Sequence, residues 1–418
     1  ALAQLAAIKA SLDASRYAEA LAQAEKLATL ASGSGDRATL AEARLLAASA
    51  KARSGDPRGA DLQVEEAILL AESARDDELQ ARAWVERVGI AAVAGSPDAD
   101  RWARFARAAV TRAGAPSDLE ASLANNLGVL AHLQGRYPDA VQAHRQALAL
   151  RVAQLGELHP LVARTHSNLG AALRGQGQLD EAAAEYRRAL KIEEAVLDPS
   201  HPAVAETLNN LGNVLLQEHD AAGARAALER ALQIKEAAFG ADSIPVAVSL
   251  TNLATVLLDQ GQVDDAIAKL QDALEIKERL AGKDALTVAV TLTNLAQANR
   301  RRGGWSQSQQ LDRRALQIRR ARQGKAHPDL AYNLTGLGLA EAELGHVADA
   351  RAALEEALEL RSEKNELRAE TALALGRLLF RSKDGQARAV ALLEEAVSSS
   401  PNDSLVQKEA RALLSKRK

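Results

Sequence analysis

Apolar and polar positions follow one another along this chain with the period of an α-helix. In one segment, apolar or small residues occur at Leu179, Ala182, Tyr186, Ala189 and Ile192, at intervals near three and four residues. Such spacing places them on one buried stripe of a helix. Glycine, proline and short polar stretches interrupt the stripes, and the pattern predicts a chain of short helices without strands.

The pattern repeats every 42 residues without slippage. An Asn-Leu pair marks each unit, at Asn126, Asn168, Asn210, Asn252 and Asn294, and the next step falls on Gly336. A glycine marks the turn inside most units, at Gly135, Gly177, Gly261, Gly303 and Gly345, with His219 in the remaining one. Each unit therefore reads as helix, turn, helix, and such a hairpin buries its apolar stripe only by stacking on its neighbours.

The repeat divides the chain into four stretches. Six regular units cover 118–363, and three degenerate hairpins with a period near 40 are predicted over 1–117. A further degenerate hairpin is predicted over 364–400, and a polar capping helix over 401–418. We expect an all-α solenoid of about ten antiparallel helix hairpins that ends in this capping helix.

Composition excludes several classes of function. The chain has no cysteine, which rules out disulfides, zinc-thiolate sites and thiol nucleophiles, and its net charge of -3 indicates neither nucleic-acid nor membrane binding. No apolar run has the length of a membrane span. The chain begins at Ala1 and contains no methionine, which suggests a fragment of a longer protein. We expect a cytoplasmic location, or the other side of a membrane if an anchor once preceded Ala1.

No motif for chemistry stands out. The eight histidines include no His-Glu-x-x-His pair, and Gly282-Lys283-Asp284 lacks the Ser or Thr of a phosphate loop. We therefore predict no catalytic, metal or cofactor site within this chain, and no cofactor requirement.

The repeat resembles the tetratricopeptide family, and in particular the 42-residue variety found in kinesin light chains and in many bacterial multidomain proteins. The likeness rests on Leu208-Asn209-Asn210-Leu211-Gly212, Gly177 to Ala182, Arg188-Ala189-Leu190-Lys191-Ile192 and His201-Pro202-Ala203-Val204-Ala205. It implies a right-handed superhelix whose concave side is lined by the first helix of each hairpin, where peptides lie.

By this resemblance the repeated asparagines form a ladder on the concave wall. An amide offers donors and an acceptor to an extended peptide backbone; the alternative is that these amides only bond their neighbours between helices. The groove residues so predicted are Asn126, Asn168, Asn210, Asn252, Asn294, Asn209, Asn213, Arg174 and Arg300.

One segment, 299–325, is strongly basic, with nine Lys or Arg residues against the single acid Asp312. Arg301, Arg302, Arg313 and Arg314 could bind an anionic partner, since Arg pairs with phosphate and carboxylate in a fixed geometry. The alternative is a solvated face balanced by acids of neighbouring units, namely Glu275 and Glu278 on one side and Glu355, Glu356 and Glu359 on the other.

The predicted function is that of a scaffold or adaptor that binds a peptide or a partner helix of another protein, with self-association as a further possibility. The alternative is a regulatory or sensor region of a larger bacterial enzyme, most plausibly a serine/threonine protein kinase. No kinase motif occurs in these residues.

Overall fold

The computed structural model describes residues 1–14, 16–361, 366–380, 385–402 and 404–415. These residues form 21 α-helices and, in the described ranges, no strand. By its internal contacts the chain divides into an N-terminal unit, Ala1–His219, and a C-terminal unit, Asp220–Lys418.

The N-terminal unit contains eleven helices, which form five hairpins followed by the first helix of a sixth. Their bounds are α1 (Leu2–Asp13), α2 (Tyr17–Ser34), α3 (Arg37–Arg53), α4 (Pro57–Ser73), α5 (Asp77–Val93), α6 (Ala99–Arg112), α7 (Ser117–Leu133), α8 (Tyr137–Leu155), α9 (Pro160–Gly175), α10 (Leu179–Val196) and α11 (Pro202–Gln217). We call α1, α3, α5, α7, α9 and α11 the first helices, and their partners the second helices.

The C-terminal unit begins with the second helix α12 (Ala221–Phe239) and continues in the same order. Its other helices are α13 (Ile244–Asp259), α14 (Val263–Ala281), α15 (Leu286–Arg301), α16 (Trp305–Gln323), α17 (Leu330–Glu343), α18 (Val347–Glu359), α19 (Glu366–Phe380), α20 (Gln386–Ser399) and α21 (Leu405–Ser415). Part of the turn predicted near 382–386 and parts of the capping helix predicted over 401–418 lie outside the described residues.

Helix ends follow the local chemistry of the sequence. Gly135, Gly177 and Gly261 lie just after first helices with φ between 73 and 80°, a left-handed conformation that costs glycine little. Prolines occupy the first turn of α9 and α11, where the missing N–H leaves no bond unmade. His159 and His201 cap these two helices, since their Nδ1 atoms accept from the backbone N–H two residues later.

In the hairpins α7–α8, α9–α10 and α17–α18, a buried second-helix side chain packs against a glycine of the first helix. The same second-helix position recurs every 42 residues, and it is buried at His144, Tyr186, Leu228, Leu270, Asp312 and Leu354. Where glycine faces them, a β-carbon would lie 3.1 Å from the ring of Tyr186 at Gly170, and 2.5 Å from Leu354 at Gly338. The two helices therefore approach as closely as a missing side chain allows.

These observations confirm the predicted fold class: each unit is an all-α solenoid of stacked antiparallel hairpins. Helices α1 to α6 form three hairpins within residues 1–117.

We expect Tyr186→Ala to lower the free energy of unfolding by about 3–5 kcal/mol, because it empties a fully buried position beside Gly170. Tyr186→Leu should cost less than about 1.5 kcal/mol. Leucine fills the same position in other repeats, and the buried Tyr186 hydroxyl has no hydrogen-bond partner among the residues that the structure describes. Urea unfolding followed by circular dichroism measures both, and equal losses would contradict the packing described.

Candidate binding site on the first helices

A cleft of about 360 Å³ runs across consecutive first helices of the N-terminal unit. We call it the first-helix cleft. Its lining comes from the end of α3, the start of α4, and from α5, α7 and α9: Ala52, Arg53, Pro57, Glu86, Gly89, Ile90, Val93, Asn125, Asn126, Val129, Arg164 and Asn168. Two of the predicted ladder residues, Asn126 and Asn168, thus lie together in one surface depression.

Amide groups form a hydrogen-bonded chain along this cleft. The Asn168 amide donates to Asn125 Oδ1 at 3.0 Å, and the Asn125 amide donates to Asn126 Oδ1 at 3.3 Å. Asn126 in turn donates to the backbone carbonyl of Val85 at 2.8 Å. Asn126 and Asn168 therefore bond between helices, as the alternative interpretation expected, while both remain partly exposed in the cleft.

The other predicted asparagines lie on first helices without such a chain. Asn210 and Asn213 on α11, and Asn252 and Asn294 on α13 and α15, are partly exposed. Asn209 is different, because it is 9% exposed and its Oδ1 is buried without a hydrogen-bond partner among the described residues. The Asn209 side chain is therefore buried and does not line an open surface.

The two arginines predicted for the groove have different surroundings. Arg174 is partly buried, and its charge lies near enough to His132 to assist burial in lowering the pKa of that imidazole. The Arg300 side chain is 15% exposed, and Nη1 contacts Asp312 Oδ2 at 2.5 Å and Ser308 Oγ at 2.8 Å on α16. Arg300 therefore lies inside its hairpin, which corrects its predicted place in the groove.

Asp312 explains this arrangement. It occupies the second-helix position that holds Leu or an aromatic ring in other repeats, and its carboxyl also accepts from Asn333 at 2.8 Å. Burial raises the pKa of Asp312 to about 6, and the Arg300 charge opposes that rise. A β-carbon at Gly336 would lie 2.6 Å from both Arg300 Nη1 and Asp312 Oδ2. The ladder position therefore carries glycine here because the ion pair fills the space.

The remaining arginines of the basic segment are bonded to groups of the C-terminal unit. Arg302 contacts Asp264, Arg313 contacts Glu341, and Arg314 contacts Glu278 at 2.5 Å. Arg301 donates to the Leu258 carbonyl, and Arg320 pairs with Glu356. The acids expected to balance this face thus do so at Glu278 and Glu356, and an anionic partner would have to compete with them.

A second periodic feature escaped the sequence analysis. A charged residue near the end of each second helix recurs every 42 residues and is at most 7% exposed, at Arg151, Glu193, Lys235, Lys277, Arg319 and Arg361. Several bond a hydroxyl of the next first helix: Arg151 to Thr165, Glu193 to Thr207, Lys277 to Thr291, and Arg361 to Thr371. The sequence contains this pattern, because a charged residue recurs at one position among the apolar positions of the second helix.

Glu193 is the single acid in this row. Thr207 donates to its Oε1 at 3.1 Å, while Oε2 is buried and has no hydrogen-bond partner in the described part of the chain. Burial raises the pKa of this carboxyl to about 7, and the nearby charges of Glu206 and Glu194 act in the same direction. Burial also disfavours the charged form of Lys277, and for this amine it lowers the pKa, to about 8.

One cluster of potential metal ligands was not foreseen from the sequence. Glu341, His346 and Asp349 bring one ligand atom each within 4.8 Å of one another. The Glu341 carboxylate already accepts from Arg313 and Gln309 and contacts His346 Nδ1 at 2.7 Å. These bonds describe an ion-pair network, since a cation here would lie beside a guanidinium.

We expect Arg300→Met to lower the free energy of unfolding by about 3–5 kcal/mol, because it leaves the buried Asp312 carboxylate without its counter-charge. The double variant Arg300→Met with Asp312→Leu should recover most of this loss, since leucine fills the equivalent position of other repeats. Urea unfolding of both single variants and the double variant gives the coupling energy, and simple additivity would argue against the pair.

The contribution of Glu193 to the stability of the N-terminal unit should fall as pH rises. Between the ordinary pKa of 4.5 and about 7, the folded chain holds a proton on Glu193 that the unfolded chain releases. The ionised carboxylate then costs roughly 3 kcal/mol above this range. The buried His144, whose pKa is lowered to about 4, acts in the opposite direction, so the test compares two pH profiles. Glu193→Gln should be more stable than the wild type at pH 8 and should lose this advantage toward pH 4.5, as measured by thermal unfolding. An unchanged pH profile would contradict the assignment.

In the described part of the chain, no helix combines the length and the apolar character that crossing a membrane requires.

Comparison with known proteins places this geometry in a family. A tetratricopeptide repeat model matches residues 119–195, 161–237, 203–279, 245–321 and 287–363, and a second tetratricopeptide repeat model matches 335–404. No curated protein is similar enough in sequence to match.

Several solved structures are similar to this chain, and the first of them shares its fold. Apo RapI matches with a TM-score of 0.56 at 15% identity, over 80% of this chain and 98% of that one. BtubC (BKLC) from P. vanneervenii matches at 23% identity, over 54% of this chain and 88% of that one, with a TM-score of 0.45. A putative kinesin light chain from Podosopora anserina with nearly identical TPR-like repeats matches at 20% identity, over 50% and 98%, with a TM-score of 0.43. The successive overlapping matches of the family model run over more than half of the sequence, and the chain belongs to the tetratricopeptide repeat family.

Proposed function

We propose that this chain is a protein-interaction scaffold whose first-helix cleft binds an extended peptide segment of another protein. Membership of the tetratricopeptide repeat family supports a protein-interaction role in general. The observation that carries the finer proposal is the amide chain of Asn168, Asn125 and Asn126 at the surface of the first-helix cleft.

The amide chain leaves hydrogen-bonding capacity for a ligand. Asn168 uses one amide N–H in its bond to Asn125, so its second N–H and its Oδ1 have no partner among the described residues. A peptide backbone presents N–H and C=O groups at regular intervals, and amide side chains can pair with both whatever the peptide sequence. Because the chain fixes the rotamers of these amides, less side-chain entropy is lost on binding.

The rest of the lining would select among peptides. Val93 and Val129 supply apolar contact area, and Val93 is 67% exposed. Glu86 already accepts from Ser49 at 2.7 Å, and Arg53 and Arg164 add positive charge to the rim. A cleft with both signs of charge favours a segment of mixed polar and apolar residues over a strongly charged one.

The equivalent asparagines Asn210, Asn252 and Asn294 would extend such contacts to further repeats.

The alternative role, as a regulatory region of a larger enzyme such as a bacterial kinase, stays a prediction, as does the absence of a catalytic site.

Peptides selected from a displayed library against the full chain should bind the Asn126→Ala, Asn168→Ala double variant at least about tenfold more weakly, since two backbone-pairing amides are lost. Val129→Asp should have a similar effect, because it places a charge in the apolar part of the cleft without touching the amide chain. Fluorescence anisotropy with the selected peptides measures both.

The matched control removes two exposed amides outside the cleft, through Gln4→Ala with Gln154→Ala, and should leave the affinity unchanged. Circular dichroism melting of every variant separates binding from folding. Unchanged affinity in both the asparagine variant and Val129→Asp would rule out the cleft as the peptide site.

A further inference from the structure

The N-terminal unit has a second cleft, of about 540 Å³, that shares no lining residue with the first-helix cleft. It lies between α6, α7 and α8, and we call it the α6–α8 trough. Its lining consists of Asp100, Ala103, Arg104, Arg107, Ala124, Leu127, Leu130, Ala131, Arg136, Asp139, Gln142, Ala143 and Gln146.

The trough exists because the stacking order changes at α7. Elsewhere in this unit, a first helix contacts the preceding hairpin chiefly through that hairpin's second helix, whereas α7 contacts the preceding hairpin chiefly through the first helix α5 and contacts α6 little. The turn between α6 and α7 contains two consecutive left-handed residues, Gly114 at φ 83° and Ala115 at φ 51°. A non-glycine residue pays a steric cost in this conformation, and the turn directs α7 away from α6.

The walls of the trough have the dimensions of a helix-binding slot. On α6 the lining residues Asp100, Ala103, Arg104 and Arg107 follow helical spacing, as do Asp139, Gln142, Ala143 and Gln146 on α8. Each stripe covers about two turns, or roughly 10 Å. Ala103 and Ala143 in the walls, and Ala124 and Ala131 in the floor, leave room for another helix to approach closely.

The charge of the trough is uneven. At one end Arg136 is neutralised by Asp100 at 3.3 Å and by Asp139 at 3.1 Å. On the α6 wall, the exposed side chains of Arg104 and Arg107 have no ion-pair or hydrogen-bond partner among the described residues. The opposite wall offers the neutral amides of Gln142 and Gln146. One flank of the slot is therefore positive and the other is uncharged.

We propose that the α6–α8 trough binds an amphipathic α-helix of a partner protein that turns small apolar residues toward Leu127 and carries Asp or Glu along the flank beside Arg104 and Arg107. The complementary charge sets the orientation of the helix, because the reverse orientation would place its acids beside Gln142 and Gln146. The site is separate from the peptide site proposed above, and either can fail without the other.

A displayed library of helical peptides of about four turns, selected against the full chain, tests the proposal. Enriched peptides should carry an acidic flank beside an Ala- and Leu-rich face. Arg104→Glu with Arg107→Glu should weaken their binding at least about tenfold, and the wild-type affinity should fall as ionic strength rises. Ala143→Trp, which fills the slot without changing charge, should abolish binding.

The matched control reverses two exposed arginines of the same unit that line neither cleft, through Arg58→Glu with Arg187→Glu. It changes net charge equally and should bind the peptides as the wild type does, as should the Asn126→Ala, Asn168→Ala variant. Retained binding by Ala143→Trp, enrichment of helices without an acidic flank, or no enrichment would overturn the proposal. So would wild-type dimerisation that Ala143→Trp abolishes, since the occupant would then be a second copy.

Discussion

The close approach of the two helices within each hairpin is the constraint on which the other features depend. It requires a residue with little or no side chain on the first helix and one well-packed side chain on the second, as at Gly170 with Tyr186 and Gly338 with Leu354. A side chain added on the first helix would separate the helices, and the apolar stripes above and below would lose contact. The 42-residue spacing of the sequence is the spacing of these contacts.

Where the buried second-helix side chain is charged, the residues around it also differ from those of the other repeats. Asp312 stands in the hairpin core, Arg300 turns inward to neutralise it, and Gly336 vacates the space that an asparagine of the ladder would need. Three departures from the repeat consensus, each without an evident reason when taken alone, are parts of one buried ion pair. The strongly basic segment is thus explained in part by an acid inside the C-terminal unit rather than by a partner outside it.

The sequence predicted best those features that depend on residues close together along the chain. Helix limits, turns and the hairpin order followed from glycine, proline and apolar spacing, because these act within a few residues. Side-chain direction was harder to predict. Arg300 shares a helix with a groove candidate but faces inward, because its partner Asp312 lies on the next helix, and Asn209 is buried although it adjoins the groove candidate Asn210. The α6–α8 trough could not be predicted, because it arises from a changed packing order rather than from any motif.

The row of buried charges from Arg151 to Arg361 has a mechanical consequence. Several of these charges lie where one hairpin meets the next, and each must shed its water before the two can join. Contacts within a hairpin are mostly apolar and carry no such penalty. Each such charge therefore lowers the free energy that its joint gains on forming, and a pulling force should open that joint more readily than an otherwise equal apolar joint.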